Sequence, residues 1–123
     1  KKFVMVGATT EFQTDTDLLL NYLMINNLKK NDVIKNTNNI NQFFYKNKKK
    51  NIENVNKNLI QIASDLNVTF LDKSHYICKE SKKICYGVDS KANKNFFDYS
   101  HYTNHGAIFF GNIIANTNWL KLN

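Results

Sequence analysis

Two short apolar runs with helical sequence between them constrain the fold of this chain more than any other feature. The first run, KFVMVGA at residues 2–8, is continuous and ends at Gly7, which is typical of a buried parallel strand that leads into a loop. The second run, VTFLD at residues 68–72, is bounded by Asn67 and Asp72. The order strand, helix, helix, strand predicts an α/β domain, in which a parallel sheet carries helices on both faces as a three-layer αβα sandwich.

Between these runs the sequence predicts two helices. The first covers about residues 16–27, TDLLLNYLMINN. Thr14 or Thr16 is predicted to be its N-cap, and Asp15 and Asp17 suit the positive N-terminal end of the helix dipole. Residues 28–40 show weak periodicity and are predicted to form a loop. A longer helix is predicted over about residues 41–66. Its inward face would carry apolar residues spaced by three and four: Ile52, Val55, Leu59, Ile62 and Leu66.

A last helix is predicted to begin near Thr103, after a polar, irregular segment from His75 to Phe97. Its buried side would be formed by Ala107, Ile108, Phe110, Ile113, Ile114 and Trp119.

The composition limits the classes of partner. The net charge is +7 and the pI is near 9.4, but every basic residue is Lys and the chain has no Arg and no Pro. A composition with Lys but no Arg, no Pro and abundant Asn is typical of codon bias toward A and T. Arg, which is absent here, is the residue that planar phosphate and base recognition favours. We therefore expect no nucleic-acid partner. No apolar run reaches 18 residues, and the N-terminal apolar run is too short for a signal peptide. We interpret that run instead as a buried β-strand that starts abruptly, and we therefore expect the chain to begin in mid-domain.

The cysteines, Cys78 and Cys85, leave two interpretations open. Their separation is wrong for a zinc knuckle or a Cys-x-x-Cys redox site. They are either two reduced thiols or a disulfide that closes a small loop, and a disulfide would imply an oxidising compartment.

The segment FFDYSHYTNHGA, residues 96–107, carries the strongest chemical signal. If Thr103 caps the last helix, His101 lies on the loop before it and Asp98 lies one turn further back. A carboxylate at that separation can accept a hydrogen bond from one imidazole nitrogen and fix the tautomer, which leaves the other nitrogen free as a general base. Because open α/β sheets place their active sites on loops after the strands, we expect the C-terminal ends of both strands to point toward His101.

At these residues the sequence resembles the SGNH (GDSL-like) hydrolases and acyltransferases. The likeness is closest to the extracytoplasmic SGNH domain at the C-terminus of bacterial membrane-bound O-acyltransferases, whose last block typically runs Asp-x-x-His-Leu-Ser-x-x-Gly-Ala. Here that block is Asp98-Tyr-Ser-His101-Tyr-Thr-Asn-His-Gly106-Ala107, with Tyr and Thr in place of Leu and Ser. That family often carries a cysteine pair shortly upstream, and FVMVGATTEF resembles its Gly-Pro-x-Pro-like loop without the prolines.

The resemblance implies an esterase or O-acyltransferase that acts on acetyl esters of cell-surface polysaccharide, with Asp98 and His101 as two members of a Ser-His-Asp triad. It implies an acylated carbohydrate substrate, an acyl donor supplied by a membrane acyltransferase domain of the same protein, and neither cofactor nor metal. It also implies an extracytoplasmic location, tethered to the inner membrane, and a disulfide between Cys78 and Cys85.

The family's Gly-Asp-Ser nucleophile motif and its Gly and Asn blocks do not occur in this sequence. Gly87-Val-Asp-Ser90 is only faintly similar and lies too close to Asp98. We therefore expect residues 1–123 to be the C-terminal part of one SGNH domain whose nucleophilic Ser lies upstream of Lys1, and we expect no catalysis from these residues alone.

Other interpretations compete with this one. The Asp98/His101 pair could be an ordinary polar loop, and His101 and His105 could flank a zinc ion if both were helical. His105 is expected to be a solvent-facing residue of the first helical turn, and His75 a surface residue. At the level of the domain, the alternatives are an inactive SGNH-like module that binds glycan or a partner, and a Lys-rich domain that binds polyanions.

Overall fold

The computed structural model describes residues 2–13 and 17–120. The strands are β1 (Val4–Val6), β2 (Thr69–Leu71), β3 (Cys78–Lys79) and β4 (Ile84–Cys85). The helices are α1 (Leu18–Ile25), α2 (Val33–Lys46), α3 (Lys50–Asp65), α4 (Ser74–Ile77) and α5 (Asn104–Asn116), with short 3-10 turns at Lys30–Asp32 and Glu80–Lys82. None of the helices in the described residues is long and apolar enough to cross a membrane.

Strands β1 and β2 pair in parallel, which confirms the predicted α/β class with a parallel sheet. Val4 lies opposite Thr69 and Val6 opposite Leu71, and the Gly7 N–H extends the ladder by donating to the Leu71 carbonyl at 2.9 Å. β3 and β4 form a separate antiparallel hairpin.

Strand β1 is less buried than its continuous apolar sequence predicts. Phe3 is 72% exposed and Val6 47% exposed, and only Gly7 at the strand end is buried. The main core lies beyond the sheet, where four fully buried aromatic rings pack together: Phe12, Phe44, Phe96 and Phe110. The expectation of a buried strand is therefore wrong for the described residues, because the core forms among helices and loops rather than on β1.

The helices between β1 and β2 also differ from the prediction. The predicted cap residues Thr14 and Thr16, with Asp15, lie outside the described residues, and α1 is capped by Asp17, whose carboxylate accepts the Leu19 and Leu20 N–H groups. The predicted loop at 28–40 is wrong, since α2 already begins at Val33. The apolar face of α2 is hard to recognise in the sequence because Asn and Lys residues occupy the other faces of the helix.

The single helix predicted over residues 41–66 is in fact two helices. The helix is interrupted at residues 47–49 because this segment pairs with the loop after β1. Lys49 donates its N–H to the Glu11 carbonyl at 2.8 Å, and Phe12 forms an antiparallel β-bridge with Lys48. The predicted inward face of α3 is wrong as well. Asn56 and Ala63 are buried, whereas three of the predicted residues are exposed: Val55, Ile62 and Leu66.

Helix α5 begins where the sequence predicts. Thr103 is the N-cap, and its hydroxyl accepts the Gly106 N–H at 2.9 Å. Gly106 touches the Asn95 backbone, where an added Cβ would lie 1.9 Å from the carbonyl oxygen, so the glycine allows α5 to pack closely on this loop. Phe110 is buried, but Ala107 and Ile108 are exposed, which corrects the predicted buried side.

Candidate active site

Asp98 and His101 lie on a tight turn directly before α5. The Phe97 N–H donates to the His101 carbonyl at 3.0 Å, so the turn is closed on itself. Inside it, Asp98 Oδ1 accepts the N–H groups of Ser100 at 2.9 Å and His101 at 2.8 Å. Asp is a turn residue that binds the backbone two and three positions on, which is why the sequence folds tightly here.

Backbone pairing and hydrogen bonds fix the two ends of this turn. Phe96, 1% exposed, pairs with Tyr102 across its base. Thr103 donates its N–H to the Asn95 carbonyl at 3.0 Å and its hydroxyl to the Lys94 carbonyl at 2.6 Å. The two ends of the turn are therefore fixed to each other and to the start of α5.

The side chains of Asp98 and His101 form a pair within the turn. His101 Nδ1 lies 2.8 Å from Asp98 Oδ2 and 3.0 Å from Oδ1. Desolvation by itself raises the pKa of Asp98, but the hydrogen bonds from Ser100 N–H, His101 N–H and the imidazole outweigh it and lower that pKa below its usual value. Since an ionised carboxylate only accepts hydrogen bonds, we assign the imidazole proton to Nδ1, which leaves Nε2 as the basic nitrogen.

Two aromatic rings hold the imidazole in place. Phe97 stacks on it with 5.6 Å between ring centroids and 21° between planes, and Tyr99 meets it edge-on at 5.8 Å. The His101 side chain is nevertheless 61% exposed, and Nε2 has no hydrogen-bond partner in residues 2–13 and 17–120. The basic nitrogen is thus open to a reacting group.

The loop after β1 lies against this turn. The Phe12 N–H donates to the Tyr99 carbonyl at 2.9 Å, and Lys49, which pairs with Glu11 at 3.2 Å, lies 4.6 Å above the Tyr99 ring. This contact places the turn beside the loop at the carboxyl end of β1, the location that the sequence favours. A cleft of about 280 Å³ borders the loop after β1 at Thr10 and Glu11 and is also lined by residues that include Lys49, Asn56, Asp72 and Ser74, but by no residue of the turn.

A buried amide that sequence reasoning missed fixes the loop after β1. Asn56 on α3 donates its Nδ2–H to the Ala8 carbonyl at 3.1 Å and accepts the Ala8 N–H at 2.8 Å. Gly7 is needed beside it, since an added Cβ would lie 2.9 Å from Asn56 Oδ1. The signal in the sequence was an Asn at the buried position of an otherwise amphipathic helix.

A second Asp–His pair, also missed, joins the first turn of α5 to the loop at residue 89. His105 Nε2 lies 2.8 Å from Asp89 Oδ2. Asp89 also accepts three further hydrogen bonds, from Lys91 N–H, Asn93 N–H and Asn93 Nδ2. Desolvation alone would raise the pKa of Asp89, but the bonds from Asn93, Lys91 and His105 lower it.

The expectation of a solvent-facing His105 is therefore only partly right, because the side chain is 42% exposed but its Nε2 contacts the Asp89 carboxylate. His101 and His105, which could have flanked a zinc ion, contact different carboxylates, Asp98 and Asp89. The described residues contain no group of three potential metal ligands. His75 is 73% exposed, and Ser90 is exposed.

Cys78 and Cys85 form a disulfide bond across the β3–β4 hairpin, where they lie opposite each other. Cys85 is fully buried, and the Tyr86 N–H next to it donates to the Ile77 carbonyl at 2.9 Å. The hairpin leads into residues 87–95, which carry Asp89 and end at the base of the turn that holds Asp98 and His101. The bond thus fixes the segment on which the turn is built.

A family model for the SGNH domain that is fused to AT3 domains matches residues 1–116. The chain belongs to this SGNH family. Comparison with curated proteins and with solved structures found no match. Membership of the SGNH family confirms the family that the sequence resembles and identifies the chain as a module of the acyltransferase and esterase type.

Proposed function

We propose that this SGNH domain transfers or hydrolyses acyl groups on carbohydrate, with His101 as general base and Asp98 as the residue that orients it. The observation that carries the proposal is the Asp98–His101 pair, in which the carboxylate contacts Nδ1 at 2.8 Å and Nε2 stays open. A loose polar loop would not hold the imidazole on three sides.

The proposed mechanism follows from this geometry. Nε2 removes the proton from a serine hydroxyl as the oxygen attacks the ester carbonyl, and the resulting imidazolium is stabilised by the ionised Asp98. The imidazolium then returns the proton to the leaving alcohol, which gives an acyl-enzyme. In the second half, Nε2 activates a sugar hydroxyl or a water that releases the acyl group. The lowered pKa of Asp98 supports this role because the carboxylate stays ionised throughout.

The nucleophile in this proposal comes from another part of the full-length protein. No serine hydroxyl hydrogen-bonds to His101 in the described residues, and Ser90 contributes no contact to the site. Such a serine would have to bring its hydroxyl to Nε2, the ring nitrogen that Asp98 does not contact, in the plane of the exposed imidazole.

We infer the partners and location from the family and the disulfide. The description of the family as fused to AT3 domains supports an acyl donor delivered by a membrane acyltransferase domain of the same protein. The Cys78–Cys85 bond favours an oxidising, extracytoplasmic compartment, in which acetylated surface polysaccharide is the expected substrate.

The nucleophile can be tested with a fluorophosphonate, which labels activated serines covalently. We expect a form extended upstream of Lys1 to be labelled at one serine outside residues 1–123. Labelling should be lost in His101→Ala and kept in the control Ser90→Ala, and both variants should keep the circular dichroism spectrum of the parent. Labelling at Ser90, or equal labelling with and without His101, would contradict the proposal.

A further inference from the structure

Tyr99, in the turn that holds Asp98 and His101, is contacted by two segments that are distant in the sequence. Its carbonyl accepts the Phe12 N–H at 2.9 Å. Its ring lies beneath the ammonium group of Lys49, whose Nζ is 4.6 Å from the ring centroid. The loop after β1 and the residue that precedes α3 therefore both contact the turn at Tyr99.

Lys49 is held in this position by two contacts with Glu11. Its backbone N–H donates to the Glu11 carbonyl at 2.8 Å, and its Nζ pairs with the Glu11 carboxylate at 3.2 Å. Both side chains are partly buried, at 30% and 27% exposed. A lysine side chain is flexible, so a contact at its backbone alone would not fix the ammonium group. The carboxylate of Glu11 supplies the second contact, which keeps the charge over the Tyr99 ring.

The same Tyr99 ring contacts the imidazole of His101. The two rings meet edge-on, with 5.8 Å between centroids and 74° between planes. Rotation of a histidine ring about its last side-chain bond is only weakly restricted by the side chain itself, so neighbouring groups decide the direction in which Nε2 points. Because the His101 side chain is 61% exposed, few groups are available for this, and Tyr99 is one of them.

We propose that Lys49 is a positioning residue for His101, which acts by holding the Tyr99 ring against the imidazole. This role rests on the proposed function, in which Nε2 of His101 is the general base. Proton transfer depends on the distance and direction between the base and the hydroxyl, so a less restrained imidazole lowers the rate of the chemical step. A cation over a partly exposed ring contributes about two- to fivefold to an equilibrium, which limits the effect of Lys49 to that size.

The first test is steady-state kinetics of acetyl-ester hydrolysis by the upstream-extended protein, with urea unfolding of each variant to check its fold. Lys49→Met keeps the length of the side chain but removes the charge, and it should lower kcat by about fivefold. KM should change by less than about twofold, because the ground-state complex does not depend on the direction of Nε2. Lys49→Arg should regain most of the lost kcat, since a guanidinium also stacks on aromatic rings and pairs with carboxylates. The matched control is Lys50→Met at the exposed neighbouring lysine, which should keep kcat within about 1.5-fold.

A double-mutant cycle tests whether Lys49 acts through Tyr99. Tyr99→Leu should lower kcat at least as much as Lys49→Met does, and adding Lys49→Met to Tyr99→Leu should change kcat by less than about 1.5-fold. A spectroscopic measurement that needs no turnover accompanies the cycle. The NMR signals of the His101 ring protons are shifted by the adjacent Tyr99 ring, so they should move in Lys49→Met and stay in place in Lys50→Met.

Three results would overturn this role of Lys49. An equal loss of kcat from Lys49→Met with and without the Tyr99 ring would show that the lysine acts on the substrate directly. Wild-type kcat in Lys49→Met, together with an inactive His101→Ala, would refute the positioning role and leave the proposed function standing. Full turnover in His101→Ala would refute the proposed function itself, and the positioning role with it.

Discussion

The two Asp–His pairs beside α5 place the same residue types in different surroundings. In Asp98–His101 the partners are three residues apart, the imidazole is 61% exposed and the carboxylate meets Nδ1. In Asp89–His105 the partners are 16 residues apart, the Asp89 side chain is 11% exposed and the carboxylate meets Nε2. The first pair is local and open, and the second joins a loop to a helix.

From this difference in connectivity, since the residue types are the same, we infer different roles for the two pairs. A general base needs a nitrogen that a substrate can reach, and the His101 side chain is the more exposed of the two, at 61% against 42% for His105. The hydrogen bonds that meet at Asp89 instead fix residues 89–93 and the first turn of α5. Changes at the first pair should therefore affect turnover, and changes at the second should affect stability.

The largest effect short of removing the base is expected at Asp98. In the upstream-extended protein, Asp98→Asn should lower acetyl-ester turnover by on the order of 100-fold or more, because an amide no longer fixes the Nδ1–H tautomer or stabilises the imidazolium. The urea-unfolding free energy should change by less than about 1 kcal/mol, since the turn is also held by Phe96 and Thr103. Loss of stability without loss of turnover would reverse the roles of the two pairs.

Removal of the disulfide should have the next largest effect. Replacing Cys78 and Cys85 by Ala should lower the free energy of unfolding by about 2–3 kcal/mol, because the short loop they close is no longer restrained in the unfolded chain. Thiol titration of the unreduced protein should find no free thiol. Two reactive thiols would contradict both the bond and the extracytoplasmic location that we infer from it.

A comparable effect is expected at Asp89, again in stability. Asp89→Ala should lower the unfolding free energy by about 2 kcal/mol, because it leaves the Lys91 and Asn93 N–H groups without their acceptor. Acetyl-ester turnover at a temperature where the variant is folded should stay within about threefold. A variant as stable as wild type would show that Asp89 does not fix this segment.

The smallest effect is a dependence of stability on pH. The pKa values of Asp89 and Asp98 are lowered on folding, so each carboxylate stabilises the fold above its unfolded pKa of about 4. That stability is lost as the pH falls through the lowered folded pKa. Urea unfolding between about pH 5 and pH 3 should show a smaller loss in Asp89→Asn than in wild type. An unchanged slope would mean that the pKa of Asp89 is not lowered.

The sequence predicted the parts of this molecule that depend on local patterns. The parallel pair β1–β2, the cap at Thr103 and the Asp98–His101 motif all follow from residues close together in the chain. The break between α2 and α3 could not be predicted because it depends on pairing with the distant loop after β1.

Long-range polar contacts were missed for the same reason. The Asn56–Ala8 contact joins residues 48 apart, and an Asn at a buried helical position looks like a surface residue in the sequence. His105 was assigned to solvent since its partner, Asp89, lies on another segment. The exposed face of α3 was predicted as buried because periodicity shows that a helix has an apolar face but not whether that face is covered.

The most direct test compares the two histidines in one assay, acetyl-ester hydrolysis by the upstream-extended protein. We expect His101→Ala to lower turnover by on the order of 10³-fold or more, with an unfolding free energy close to that of wild type. We expect His105→Ala to stay within about threefold in turnover while losing about 1 kcal/mol of stability. Near-normal turnover in His101→Ala, together with its loss in folded His105→Ala, would contradict the assignment of His101 as the catalytic base.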